Sequence, residues 1–107
     1  YLLYLEQARI EWLEKKGIDY NKLENDGIMM PVYDIHIQYK KPLTFGDTVK
    51  VSVKCGQASR LKMPFEYELY NSSGDLIVAA EVMLVFMSAE KRKPMKCPPN
   101  LFKILTS

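Results

Sequence analysis

The first sixteen residues, Tyr1 to Lys16, contain no Gly or Pro and are rich in Leu, Glu and Lys, with Ala8 among them, all good helix formers. Gly17 follows Lys15 and Lys16. That order suits a helix C-terminus, where glycine ends the last turn and cations meet the negative end of the dipole. At about 100° per residue, Leu2, Leu3, Leu5, Ala8, Ile10, Trp12 and Leu13 spread over well more than half of the circumference. A helix on the surface of an ordinary domain carries a narrower apolar stripe. This helix is therefore expected to be wrapped by a curved sheet, or covered by a second subunit as well.

The rest of the chain supplies the sheet. Residues 18–31 read as a connector with a short helical turn at Tyr20 to Glu24. Val32 to Tyr39 alternates, with Tyr33, Ile35, Ile37 and Tyr39 on one face and Asp34, His36 and Gln38 on the other. Pro42 and Gly46-Asp47 mark a turn. Thr48 to Cys55 alternates again, with Val49, Val51, Val53 and Cys55 inward, and 56–60 is a loop. Met63, Phe65, Tyr67 and Leu69 form the next apolar row, and Asn71-Ser72-Ser73-Gly74-Asp75 signals a hairpin. Leu76 to Met87 is apolar at both parities, as in a central strand buried on both faces. A basic, proline-containing segment over 88–100 leads to a short closing helix at Leu101 to Leu105. One helix and then four strands joined by turns predicts an α+β fold, an antiparallel sheet against one long helix.

Composition excludes several classes. The 107 residues suit a single domain over 1–107, and 48% hydrophobic residues allow a real core. A net charge of +2, with no basic face interleaved with aromatics, gives no argument for nucleic acid. No apolar run reaches transmembrane length, because Glu81 interrupts the longest. Two cysteines, Cys55 and Cys97, make neither a disulfide framework nor a metal site, so a reducing cytoplasmic setting is expected. The chain begins with Tyr and not Met. It reads as a piece of a longer product that does not open with a signal peptide.

Glu6 is the oddest residue of the helix, lying between Leu13 and Ile10 inside the apolar sector of the wheel. A carboxylate placed there must be paired, protonated or functional. One reading is a structural pair with Arg9 at i+3 or a contact across a dimer. The other is a general base or nucleophile facing an acyl group. His36, the only histidine, sits on the polar face of a strand and reads as a surface or interface residue. Cys55 reads as core, and Cys97 has no chemical role. Two basic groups are candidates for phosphate: Ser59-Arg60-Leu61-Lys62 entering a strand, and Lys91-Arg92-Lys93 past the last one. The alternative is solvated surface charge, and neither is a glycine-rich phosphate loop.

Tyr1-Leu2-Leu3-Tyr4-Leu5-Glu6-Gln7-Ala8-Arg9-Ile10-Glu11-Trp12-Leu13 resembles the central helix of the 4-hydroxybenzoyl-CoA thioesterase family, at Tyr1, Glu6, Ala8, Arg9, Trp12 and Leu13. Later landmarks also fit: Pro31-Val32, Tyr39-x-x-Pro42, Phe45-Gly46-Asp47, Ser59-Arg60 before Phe65-x-Tyr67, the Asn-Ser-Ser-Gly-Asp turn, and Pro98-Pro99. The resemblance covers nearly the whole chain. It implies a hotdog fold, with the long helix wrapped by the sheet, and subunits that join sheets edge to edge. It further implies a homodimer, or a homotetramer built from dimers, with active sites between subunits.

The activity implied is hydrolysis of an acyl-CoA thioester to free acid and CoA, with no cofactor beyond the CoA of the substrate and no metal. The family's catalytic Asp belongs to a segment of the form Asp-x-x-Gly-x-Val-x-Asn-x-x-Tyr, whose last position is Tyr1. The first strand and that Asp are thus expected to lie ahead of this chain. Tyr1 and Glu6 remain as catalytic candidates, with backbone N–H groups near Tyr1 and Leu2 to polarise the carbonyl. Ser59, Arg60, Lys62, Lys91 and Arg92 are the candidates for the CoA phosphates. Two other readings stay open. One is a hotdog subunit that binds acyl thioesters or serves in assembly without catalysis. The other is a cystatin-like inhibitor or adaptor, although Gly56-Gln57-Ala58-Ser59-Arg60 is not the Gln-x-Val-x-Gly hairpin of cystatins.

Overall fold

The computed structural model describes residues 2–42 and 48–107. Tyr1, the Gly46-Asp47 turn and the Phe45-Gly46-Asp47 landmark lie outside the described residues. Helix α1 spans Leu2–Lys15. It stops where expected: Gly17 takes a left-handed φ of 80°, and the Gly17 and Ile18 N–H groups donate to the Glu14 and Leu13 carbonyls. Helix α2 (Tyr20–Asn25) starts at Asp19, whose carboxylate accepts from Asn21 N–H at 2.9 Å. Helix α3 (Pro99–Thr106) closes the chain, with Pro99 at its first turn, where a missing N–H costs nothing.

Strands β2 (Val32–Tyr39), β3 (Lys50–Cys55), β4 (Lys62–Tyr70) and β5 (Leu76–Val85) form one antiparallel sheet in the order β2-β5-β4-β3. Two further strands lie beyond the four that the sequence predicts. β1 (Ile28–Met29) and β6 (Met87–Ser88) pair with each other as a small second sheet. Strands of two residues carry too few positions for alternation to be seen.

The register explains the core. Phe65 lies opposite Val82 and Cys55, Tyr67 opposite Ala80 and Val53, and Leu69 opposite Val78 and Val51. These rows face α1, which buries Leu5, Ala8 and Leu13 against them. Trp12 meets Phe65 edge-on at 5.0 Å between ring centroids. Burying each large side chain contributes about 1.5–3 kcal/mol. The other face carries Lys54, Glu66, Glu81 and His36 in one row across all four strands.

Two expectations change here. β5 is central, but beyond its start at Leu76-Ile77 only the helix-facing residues Val78, Ala80, Val82 and Leu84 are buried. On the outer face Ala79, Met83 and Val85 are half-buried and Glu81 is exposed. The apolar row of β2 is mostly exposed because β2 is an edge strand: Ile37 is half-buried, whereas Tyr33 is 67% exposed. Register also shifts between Val32 and Asp34, breaking the alternation at Tyr33. Among the described residues, no helix is long and apolar enough to cross a membrane.

Candidate active site

The buried arc of α1 locates the site. Taking about 100° per residue, Arg9 lies roughly 40° from Leu5, and Leu13 roughly 80°. Leu5 and Leu13 are both buried, so Arg9 stands in the middle of the covered face. Glu6 lies just past Leu13, at the margin. It is exposed, and among the described residues it forms no ion pair with Arg9. The expected burial of Glu6 against Arg9 is thus corrected. The sheet covers the arc from Ala8 to Leu13, and Glu6 falls outside it.

Leu5, Glu6 and Arg9 of α1 nevertheless line one cavity of about 130 Å³ with Val32 and Ile35 of β2 and Val82 of β5. It lies between the helix and the free edge of the sheet. Beside Arg9, the hydroxyl of Tyr67 is buried with no well-formed hydrogen bond. Burial pushes the Tyr67 pKa up to about 12. The Arg9 guanidinium works against that rise through its charge and a hydrogen-bonding approach that falls short of ordinary geometry. Tyr67 is neutral at physiological pH, and Arg9 is the cation beside it. The wheel could have found Arg9 had it been anchored on Leu5, Ala8 and Leu13. Spreading the apolar sector out to Ile10 and Leu3 centred it on Glu6 instead.

The basic candidates converge on one end of the sheet. Lys62, the first residue of β4, pairs with Val85, the last of β5. The tail then returns, with Met95 N–H donating to the Phe86 carbonyl at 3.0 Å. Arg60 and Cys97 clasp each other there. Arg60 Nε donates to the Cys97 carbonyl at 2.9 Å, and Cys97 N–H donates to the Arg60 carbonyl at 2.7 Å. The Ser59 hydroxyl accepts from the Leu61 and Lys62 N–H groups and so shapes the turn into β4. Lys62 Nζ lies 5.3 Å from the ring centre of Tyr33. Lys91, Arg92 and Lys93 occupy a tight turn in which Ser88 N–H donates to the Lys93 carbonyl at 2.8 Å. Arg92 takes a left-handed φ of 55° within it, a conformation that costs a non-glycine residue about 1 kcal/mol or more. All five named candidates, Ser59, Arg60, Lys62, Lys91 and Arg92, are exposed.

The other chemical candidates lie elsewhere. His36 lines an open groove of about 360 Å³ on the outer face, with Glu66, Glu68 and Glu81. Among the described residues, no three His, Cys, Asp or Glu side chains are placed to hold a metal ion. Cys97 is fully buried, and burial pushes its thiol up to about 11 against the pull of Arg60. Cys55 is half-buried, and burial raises its thiol too.

The sequence pattern of the thioesterase-like superfamily matches residues 1–105. The chain belongs to that superfamily. YneP of Bacillus subtilis, which bears the name of an acyl-CoA thioesterase, is 32% identical over 96 residues, covering 90% of this chain and 70% of YneP. The 1,4-dihydroxy-2-naphthoyl-CoA hydrolase of Thermosynechococcus vestitus is 25% identical over 101 residues, 94% of this chain and 69% of that protein. Among solved structures, the DHNA-CoA thioesterase of Staphylococcus aureus superposes with a TM-score of 0.91 at 28% identity. That match spans 99% of this chain and 73% of the other. The α+β arrangement described above is therefore the hotdog fold of these thioesterases, as the helix motif implied.

Proposed function

We propose that this thioesterase-like chain hydrolyses acyl-CoA thioesters to free acid and CoA. The observation that carries the reading is the cavity between α1 and β2, apolar on most sides, with the Glu6 carboxylate at its margin. An acyl chain enters the apolar part. Glu6 takes a proton from water, the resulting hydroxide adds to the thioester carbonyl, and the C–S bond breaks. The CoA thiolate leaves and is protonated. Backbone N–H groups at the start of α1, which have no partner within the helix, are suited to the developing oxyanion. The test is release of CoA thiol from a panel of acyl-CoA thioesters. A protein that binds them without releasing thiol would instead be the non-catalytic thioester-binding subunit.

The basic end of the sheet is the proposed seat of the CoA phosphates. Each phosphate contact contributes about 1.5–3 kcal/mol, the range for hydrogen bonds to charged groups. Arg60→Ala is expected to raise KM for acyl-CoA about tenfold or more, with kcat little changed. KM for the matching acyl-pantetheine thioester, which lacks the nucleotide, stays near its original value. Equal effects on the two substrates would leave Arg60 only its clasp on Cys97.

The working unit in this reading is a dimer joined through β2, in the cytoplasm, with pairing of dimers into tetramers open. An edge strand bearing Val32, Tyr33, Ile35 and Tyr39 exposed is a template for pairing with a second copy. Ile35→Lys is expected to shift the protein from dimer to monomer in light scattering at micromolar concentration. A wild-type monomer under those conditions would rule the dimer out.

A further inference from the structure

Arg9 is the one cation on the covered face of α1, and it is half-buried. Among the described residues it forms no ion pair. Beside it is the Tyr67 hydroxyl, on a residue only 1% exposed, which Arg9 approaches without forming a proper hydrogen bond. A buried polar group left unpaired in a native fold calls for an explanation such as a bound ligand. Arg9 lines the cavity together with Leu5, Val32, Ile35 and Val82, with Glu6 as its other charged wall, and the Tyr67 hydroxyl lies next to Arg9. An unsubstituted alkyl chain there would offer the guanidinium no acceptor. An oxygen acceptor on the chain would complete it.

We infer that Arg9 is the specificity-determining residue of this cavity, selecting acyl groups that carry a second oxygen acceptor, with Tyr67 as the positioning residue beneath it. The inference rests on the proposed reading of the cavity as the acyl site. About 130 Å³ is room for roughly four water-sized groups, so the chain is short, with its acceptor a few atoms from the thioester carbonyl. The donors are a guanidinium and a neutral phenol. Both a keto oxygen and a carboxylate satisfy them, and the exposed Glu6 at the margin bears more heavily on the carboxylate.

Binding of unreactive thioethers reads this without turnover. Calorimetry would compare S-butyl-CoA with S-(3-oxobutyl)-CoA and S-(3-carboxypropyl)-CoA. At least one oxygen-bearing analogue is expected to bind the native protein about tenfold or more tightly than S-butyl-CoA, the value of a hydrogen bond to a charged group. The ketone arm against the carboxylate arm tells whether the lone pair or the charge is read. Arg9→Met should bring the affinity ratio to near one. Tyr67→Phe should reduce it while the thermal melt stays native, since only an unpaired hydroxyl is removed. Equal native affinities for all three analogues overturn the inference but leave the proposed function standing. A ratio that survives Arg9→Met removes Arg9 from the role, and one that survives Tyr67→Phe removes Tyr67. If no analogue binds at all, the CoA reading fails and this inference falls with it.

Discussion

Glu6→Gln should leave a folded protein whose kcat for acyl-CoA hydrolysis is about 10²–10⁴-fold lower, the usual contribution of a positioned general base. Gln has the same shape and cannot take the proton from water. Because Glu6 is exposed and makes no ion pair among the described residues, its replacement should change stability by no more than about 0.5 kcal/mol. The two effects are therefore separable: thiol release per folded molecule reads the chemistry, and a thermal melt reads the fold. Full activity in a folded Glu6→Gln protein would take the base away from Glu6. A large loss of stability would show that the residue is structural after all, through a contact made only in the assembled protein.

Phe65→Ala is expected to cost about 3–5 kcal/mol, the range for removing a buried aromatic. Phe65 is 0% exposed and stands between Cys55 and Val82 in the sheet. Its ring is 5.0 Å from Trp12 and 6.4 Å from Tyr67. The cavity left would therefore open beneath α1 as well as within the sheet, and neither side can collapse without moving the other. With a total stability of about 5–15 kcal/mol usual for a domain, this change alone approaches unfolding. Denaturant titration checks it through a lowered midpoint at unchanged slope. A loss under about 1 kcal/mol would show that α1 is not held by this row.

The elements were largely legible in the sequence where they repeat a period over enough residues. α1, its stop at Gly17, the row Met63-Phe65-Tyr67-Leu69 and the turn at Asn71 to Asp75 all stand as read. What escaped depends on contacts distant in the chain. Nothing local marks Ile28–Met29 as the partner of Met87–Ser88. Cys97 sits in a basic tail, yet the clasp with Arg60 draws it into the core. β2 has the alternation of a covered strand, and its exposure follows from its place at the edge. At the site, a carboxylate among leucines drew attention to Glu6. The guanidinium nearer the centre of the same face entered only as a partner for Glu6, because long cationic side chains commonly lay their stems along apolar surface.

The order β2-β5-β4-β3 also governs which pairings can form early as the chain folds. β3, β4 and β5 are consecutive neighbours, so their ladders close over short loops. β2 must skip the two intervening strands to reach β5, and loop-closure entropy opposes that contact until the others exist. Until β2 docks, β5 presents a bare hydrogen-bonding edge flanked by Val78, Val82 and Leu84. In that interval the edge is open to the β2 of any neighbouring chain. High protein concentration during refolding should therefore favour exchanged or aggregated species over the native sheet, even though in the finished molecule both edges of β5 are paired, with β2 and with β4.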